Sequence, residues 1–400
     1  MANRYVRTTG GSDANGGTSV ADGWATVQFA VDNISAGDTL YLCVMGGGET
    51  FTPSAAIDVD AFSTVSSAAT TLVGANSSGT IDGTVAEIDA TSTSAGTDAI
   101  TLKPNSPSAA DGNMIFRNIR ITNAKRDAWR IGEYNAGGGI LNLVGDFVFI
   151  NCHANDAGSR GFYGVTEDTG FNVPWNCYFI GCSATGCGSD GFKSEGIGIH
   201  HYACWADSNT GHGFVSNGNE ASSFGFSSGD NHNVANATYS HCIASNNNIG
   251  FQYFRCLINC TMYNNTDGCQ TPRAYSANTR GQNGIFPIIN CIFEANTTAV
   301  DNNDNADSQP VAMIKNAFYN NTSKYASTSK VAVEIDTIDL SASPFANAGS
   351  YDFSLNKTAG AGLACHSTGY PQTELLDGIN KINKDLGAIA TKKNKIVISA

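Results

Sequence analysis

The chain has 400 residues, of which 14% are charged, 41% are hydrophobic and 44 are glycine, with a formal net charge of -13. So little charge and so few helix formers, beside an ample apolar fraction, exclude a helical bundle and a disordered chain. The acidic balance, with no basic cluster beyond Lys392-Lys393-Asn394-Lys395, speaks against a nucleic-acid partner, and no run of roughly 18 apolar residues is present to cross a membrane.

Residues 1–45 read as an N-terminal cap. After a Gly/Asn-rich loop at 10–17, Trp24, Val27, Val31 and Ile34 recur at helical spacing and predict a short amphipathic helix. Ala36-Gly37-Asp38 then turns the chain into an alternating strand at 39–44. A helix placed there is expected to cover the open edge of a sheet. The opening Met1-Ala-Asn-Arg-Tyr-Val carries no apolar leader, so export by the secretory route is not expected.

Residues 46–330 read as a solenoid. Small-residue strands are expected at 71–74, 86–89 and 99–102, and longer ones at 114–121, 142–150 and 176–180. From about 118 to 322 an Asn/Gly-Cys pair is followed nine or ten residues later by Gly-Phe. Asn151-Cys152 goes with Gly161-Phe162, Gly181-Cys182 with Gly191-Phe192, Ala203-Cys204 with Gly213-Phe214, and His241-Cys242 with Gly250-Phe251. Asn259-Cys260 with Gly268, and Asn290-Cys291, continue the series; Asn118-Ile119 with Trp129, and Asn316-Ala317, are its degenerate ends. Unequal intervals between a constant pair of signals mean stacked turns that share a core and differ in their loops.

Of the twelve cysteines at least six occupy this repeating position. Stacked coils stand about 4.8 Å apart, wider than the roughly 3.8 Å between Cβ atoms that a disulfide prefers, so a column of free thiols is expected. Zinc is not expected at Cys177, Cys182 and Cys187, whose spacing is too wide. Asn123, Asn209, Asn246, Asn264, Asn296 and Asn321 fall a few residues after the pair. They read as one row of left-handed turn residues with stacked amides. Residues 331–400 lose the repeat; Ser343-Pro344-Phe345, Tyr351-Asp-Phe-Ser-Leu355 and Asp385-Leu-Gly-Ala-Ile389 are expected to close the C-terminal end, with a last strand at 395–398.

Taken together, Tyr5-Val6, the helical run from Trp24, Gly37-Asp38-Thr39, the Asn-Cys and Gly-Phe ladder and the closing motifs resemble the pectin-lyase-like proteins. The fold so implied is all-β: a single-stranded right-handed parallel β-helix with a short N-terminal capping helix. Members without an export signal are often bacteriophage virion proteins. The resemblance therefore implies a head decoration, fibre or tailspike on the virion surface, trimeric, in contact with other virion proteins and with host-surface polysaccharide. The alternative is a polysaccharide-degrading tailspike, a glycoside hydrolase or a lyase, because the scaffold hosts both.

If the chain is an enzyme, its carboxylates should converge on one lateral face, one as acid and one as base or nucleophile. Glu167, Asp168, Asp190, Glu195 and Glu220 form that set, with Asp190 in a column that includes Arg160, His212, Ile249 and Asp267 and reads as a variable outward position. Gly211-His212-Gly213 matches one short polygalacturonase motif, but the paired aspartates expected beside it are missing. For a lyase, Lys193 and His200-His201 are available. Neither a cofactor nor a metal is expected. Tyr163, Trp175, Tyr178, Tyr202, Trp205 and Tyr253 would offer flat faces to sugar rings if they point outward.

Overall fold

The computed structural model describes residues 1–61, 69–104, 111–132, 144–164, 174–194, 197–216, 237–270, 285–301, 310–326 and 330–365. The chain divides into two compact units. The first comprises Met1–His200, Asn209–Gly211 and Ser216–His232; the second comprises His201–Ser208, His212–Val215 and Asn233–Ala400.

In the first unit the complete coils each give one strand to each of three parallel sheets, and the first coils contribute fewer. One sheet runs Asn3–Arg7, Thr39–Cys43, Thr70–Ala75, Asp111–Arg117, Val144–Ile150, Pro174–Ile180; a second runs Ala86–Asp89, Ile119–Thr122, His153–Asn155, Ser183–Thr185. The third runs Ile57–Ala61, Ile100–Pro104, Trp129–Ile131, Phe162–Gly164, Phe192–Ser194. In the second unit the first sheet holds Ala237–Ser240, Phe254–Ile258, Phe286–Ile289, Val311–Ile314 and Val331–Ile335. Its second sheet runs from Trp205–Asp207 through Ile243–Ser245, Thr261–Tyr263, Ile292–Glu294 and Ala317–Tyr319 to Ile338–Asp339. Its third begins at His212–Ser216 and continues with Ile249–Gln252, Asp267–Gln270, Thr298–Asp301 and Ser323–Tyr325. This is a right-handed parallel β-helix.

The repeat signals are its corners. Asn118, Asn151 and Gly181 in the first unit, and Ala203, His241, Asn259, Asn290, Lys315 and Asp336 in the second, all have φ between 50° and 62°, the left-handed region that Asn and Gly tolerate best. Each breaks one strand and starts the next, so the apolar run 114–121 is two strands, not one. The residue after the corner turns inward; Cys152, Cys182, Cys204, Cys242, Cys260 and Cys291 are all buried, and every thiol of the chain is free. Burial pushes the thiols of Cys152 and Cys260 up, and those of Cys177 and Cys187, elsewhere in the core, to about 12. They act as small core residues whose Sγ donates to backbone carbonyls, as from Cys152 to Phe116 O at 3.4 Å.

The row of asparagines is two adjacent columns. Asn123, Asn246 and Asn264 are the second left-handed corner, with φ of 57°, 56° and 51°. Asn209, Asn296 and Asn321 belong one position later, where the side chain points inward. In the second unit Asn247, Asn265, Asn296 and the half-buried Asn321 form an internal ladder, the Nδ2 of each of the first three donating to the Oδ1 of the next at 2.9–3.3 Å. Each also donates to a strand carbonyl of a neighbouring coil, and the turn N–H groups of Asn247, Asn265 and Asn296 donate to the ladder's Oδ1 atoms, so backbone at the turns is satisfied by side-chain amides.

Inside, aromatic rings stack with the period of the coils. Trp129, Phe162 and Phe192 lie parallel at 5.9 and 4.8 Å, and Phe116, Phe149 and Phe179 at 5.1 and 4.9 Å. The glycine before each Phe is required by close approach: a Cβ on Gly161 would lie 2.6 Å from Gly191 O. The expected helix is Val27–Asn33, capped by Thr26 Oγ1 accepting from Phe29 N. It buries Val27, Ala30 and Val31, and Gln28 Oε1 accepts from Asp58 N at 2.8 Å.

The described part of the closing segment lies on the outer side of the second sheet of the second unit. Phe345, Ala348, Phe353 and Cys365 pack there against Ile243, Ile292 and Ala317. The expected strand at 395–398 and the motif at 385–389 lie outside the described residues.

Candidate functional site

The third sheet of the first unit carries a cluster of charged side chains on and beside its outer face. Because side chains alternate along a strand, Trp129, Phe162 and Phe192 point in while Arg130, Tyr163 and Lys193 point out, in register on consecutive coils. Arg160 lies over the Tyr163 ring, its Cζ 4.1 Å from the centroid. Arg130 and Lys193 reach the same ring from the coils on either side, at 5.5 and 5.4 Å. The ring is thus a hub for three cations, each cation–π contact being worth about 0.5–2 kcal/mol. Its faces are not presented to a sugar.

Two residues before the inward position of each coil, Asp98, Asp127, Arg160 and Asp190 form the next column, joined by backbone bonds such as Ala128 N to Arg160 O and Gly161 N to Asp190 O. The outward position expected for Asp190 is corrected here. Asp98, Asp127 and Asp190 are 4%, 0% and 8% exposed, because the turn before the strand tucks this column under the arginines.

Asp98 takes two hydrogen bonds from Arg126, the one from Nε at 2.7 Å, and is approached by Arg130 Nε at 3.7 Å. Asp127 is approached by Arg126 Nε at 3.9 Å, Arg130 Nη1 at 3.8 Å and Arg160 Nη1 at 3.7 Å, and accepts from Arg160 N at 3.1 Å. Burial, reinforced by the charge of Asp98, pushes the Asp127 carboxyl above the usual range despite these arginines. Hydrogen bonds to Asp98 push Arg126 up in turn.

The arrangement holds cations at the surface and withdraws carboxylates from it. A glycosidase pair needs two carboxyl groups open to one bond. None of the three acids of this cluster is open. Glu167, Asp168, Glu195 and Glu220 lie outside the described residues. His212 lies in the second unit, half-buried and in register with Ile249 and Asp267 as the Gly-Phe spacing requires.

The remaining aromatic positions are diverse. Tyr178 is 42% exposed and stacks on His200 at 5.0 Å. Tyr202 is half-buried against His241, and Tyr253 is buried at a left-handed corner. Trp205 packs against Tyr351 and Phe353 of the closing segment, its Nε1 donating to Ser245 Oγ at 3.1 Å. Trp175 is on the strand Pro174–Ile180, but its side chain is outside the described set. Of the two histidines considered for a lyase, His201 is a core residue stacked on Tyr239 at 4.9 Å.

Asp98, Arg126, Asp127 and Arg130 escaped sequence reasoning. Their signal was the run Lys125-Arg126-Asp127-Ala128-Trp129-Arg130, which carries four charges in six residues. Aligning Trp129 with Phe162 and Phe192 would have placed Asp127 beside Arg160 and Asp190.

Neither a protein-family model nor a curated protein matches the chain. Solved structures do. Pectate lyase Pel9A superposes with a TM-score of 0.59 at 15% identity, covering 97% of this chain and 96% of that one. The ORF18 protein of Geobacillus virus E2 superposes with a TM-score of 0.51 at 15% identity, covering 85% of this chain and 62% of that one. At such identity the likeness is one of fold.

Proposed function

We propose that this pectin-lyase-like parallel β-helix protein is a structural component of a bacteriophage particle, displayed at the virion surface as a head decoration, fibre or tailspike shaft, and that it binds host-surface glycan through a lateral face. The observation that carries the reading is the correspondence with the Geobacillus virus E2 protein over 85% of the chain. The outer-sheet chemistry is consistent with it. The charged cluster of the first unit buries its acids instead of exposing an acid–base pair, and a stacked coil with left-handed corners and an internal amide ladder is a rigid carrier. Association into a homotrimer, and contact with other virion proteins, belong to the same proposal. In the second unit Ile258, Ile289, Ile314 and Ile335 form one outward column of the first sheet, and Ile335 is 46% exposed.

A second reading, a polysaccharide-degrading tailspike, is favoured by the likeness to pectate lyase Pel9A. It would draw on Glu167, Asp168, Glu195 and Glu220 beside Asp190 and His212. One experiment separates the two: the purified protein is weighed in solution and assayed for reducing ends and unsaturated products on capsular and algal polysaccharides. A trimer that retains glycan without product supports the first reading; product from any glycan, abolished by Glu195→Gln or Glu220→Gln in a folded protein, replaces it with the second.

A further inference from the structure

We infer that the outer face of the third sheet in the first unit is a binding site for an anionic glycan, one whose sugars carry carboxylate or sulfate groups, with Arg126, Arg130, Arg160 and Lys193 as its ligand-facing residues. The inference deepens the glycan-binding reading above and rests on it.

Three coils deliver four cationic side chains to the surroundings of one ring. Four like charges so close repel one another, so the convergence must be held locally. Asp98 and Asp127 hold it from below. Both are buried and each is shared between arginines, so the acids fix the guanidinium orientations without meeting solvent themselves. The Arg126 and Arg160 side chains remain 43% and 25% exposed, and Arg130 beside them is 14% exposed.

A guanidinium has five N–H donors in a planar fork and no acceptor. The edge spent on Asp98 or Asp127 sets the plane, and the other edge is left to an acceptor-only partner, which a carboxylate or sulfate is. Tyr163 contributes by position. With Arg160 on its face and Arg130 and Lys193 at its flanks, it spaces the charges and cannot act as a platform for a neutral sugar ring. Neighbouring coils stand about 4.8 Å apart, so the charges step along the sheet at an interval comparable to the advance per sugar of an extended polysaccharide.

Arg130 and Lys193 stand on strands and the three arginines are held by buried acids, so little ordering is needed on binding. An array fixed in this way favours a repeating anion over a single small one, because neighbouring contacts on one polymer reinforce each other.

The test uses the full chain and three forms of a single backbone: dextran, carboxymethyl-dextran and dextran sulfate, titrated by calorimetry at low and at physiological salt. Both anionic forms should bind at least about tenfold more tightly than dextran, and their affinity should fall with salt. The tighter of the two identifies carboxylate or sulfate as the group recognised. Arg126→Gln and Lys193→Gln should each weaken the anionic forms about tenfold and leave dextran unchanged. Lys193→Gln makes no demand on the Asp98 contacts and keeps the test valid if Arg126→Gln does not fold.

Equal affinity for dextran and its anionic forms, or undiminished anionic binding by both folded variants, overturns the site. Host-cell polysaccharide retained equally by wild type and variants leaves the glycan-binding reading standing while this assignment falls. Retention of no polysaccharide at all overturns both.

Discussion

The second sheet has the same inside in the two units and opposite outsides. Inward, Ala154 and Ala184 line the first unit, and Ala206, Ala244, Met262, Phe293 and Phe318 line the second; all are buried. Outward, the first unit shows Glu87, Arg120, His153 and Ser183 in one column and Asp89, Thr122, Asn155 and Thr185 in the next. The corresponding column of the second unit is Trp205, Ile243, Thr261, Ile292, Ala317 and Ile338. The polar face hydrogen-bonds to itself along the stack, as His153 Nδ1 does with Ser183 Oγ at 2.8 Å. The apolar one is roofed by residues 343–365. Stacking dictates the inside of a coil, whereas the outside records what lies over it.

The strongest way to break the contrast is to remove the centre of the roof. Phe353 is fully buried and meets Phe345 at 5.2 Å, Tyr263 at 5.4 Å and Trp205 at 6.4 Å. Phe353→Ala should cost about 3–5 kcal/mol of docking free energy through lost burial and the cavity left behind. The measurement is limited proteolysis: residues 343–365 should become cleavable while the coils stay resistant. Unchanged cleavage would show that the roof does not depend on this ring.

An intermediate effect is expected beneath the roof, at Glu294. It ends the strand Ile292–Glu294, is 6% exposed, and accepts a hydrogen bond from Ser343 Oγ at 3.1 Å. Burial pushes its carboxyl from 4.5 up to about 7. Between these values the folded chain binds more protons than the unfolded one, so the stability Glu294 contributes is complete below 4.5 and is lost as pH rises through 7. Glu294→Gln should remove that loss and stabilise the protein at pH 8 by on the order of 1–3 kcal/mol, read from denaturant midpoints at pH 5 and pH 8.

The legibility of these features in the sequence followed their dependence on single residues. A left-handed corner demands Asn or Gly, a close approach demands Gly, and the space behind a corner suits Cys; a repeat of those signals is therefore visible as Asn151-Cys152 with Gly161-Phe162, and the coil with it. The two asparagine columns merged because adjacent positions use the same residue for different reasons: Asn246 for its backbone, Asn247 for its amide. Trp205 read as a sugar platform because nothing local reveals that Tyr351 and Phe353, almost 150 residues on, return to cover it. The arginine cluster was hidden for the same reason, since Asp98, Arg126 and Arg160 meet only once the register is known.

The smallest effect belongs to the bare face of the first unit, and its sign sharpens the comparison. Arg120 pairs with Glu87 at 3.4 Å, both side chains about a third exposed. Arg120→Ala should change stability by only about 0.2–1 kcal/mol, because solvent screens such a pair. Its neighbour His153 is held at about 4 by burial, with the charge of Arg120 adding in the same direction. That shift makes stability complete above 6.5 and lost as pH falls through 4, the reverse of Glu294. In the Glu294→Gln background the His153 contribution should rise with pH across this window, opposed by the smaller loss from the raised Asp127 carboxyl. Adding Arg120→Ala should move the His153 ring titration, followed by NMR, slightly upward. Burial remains after the charge is gone, so the ring should still titrate well below 6.5; a return to 6.5 would mean that Arg120, rather than the packing of the face, keeps His153 neutral.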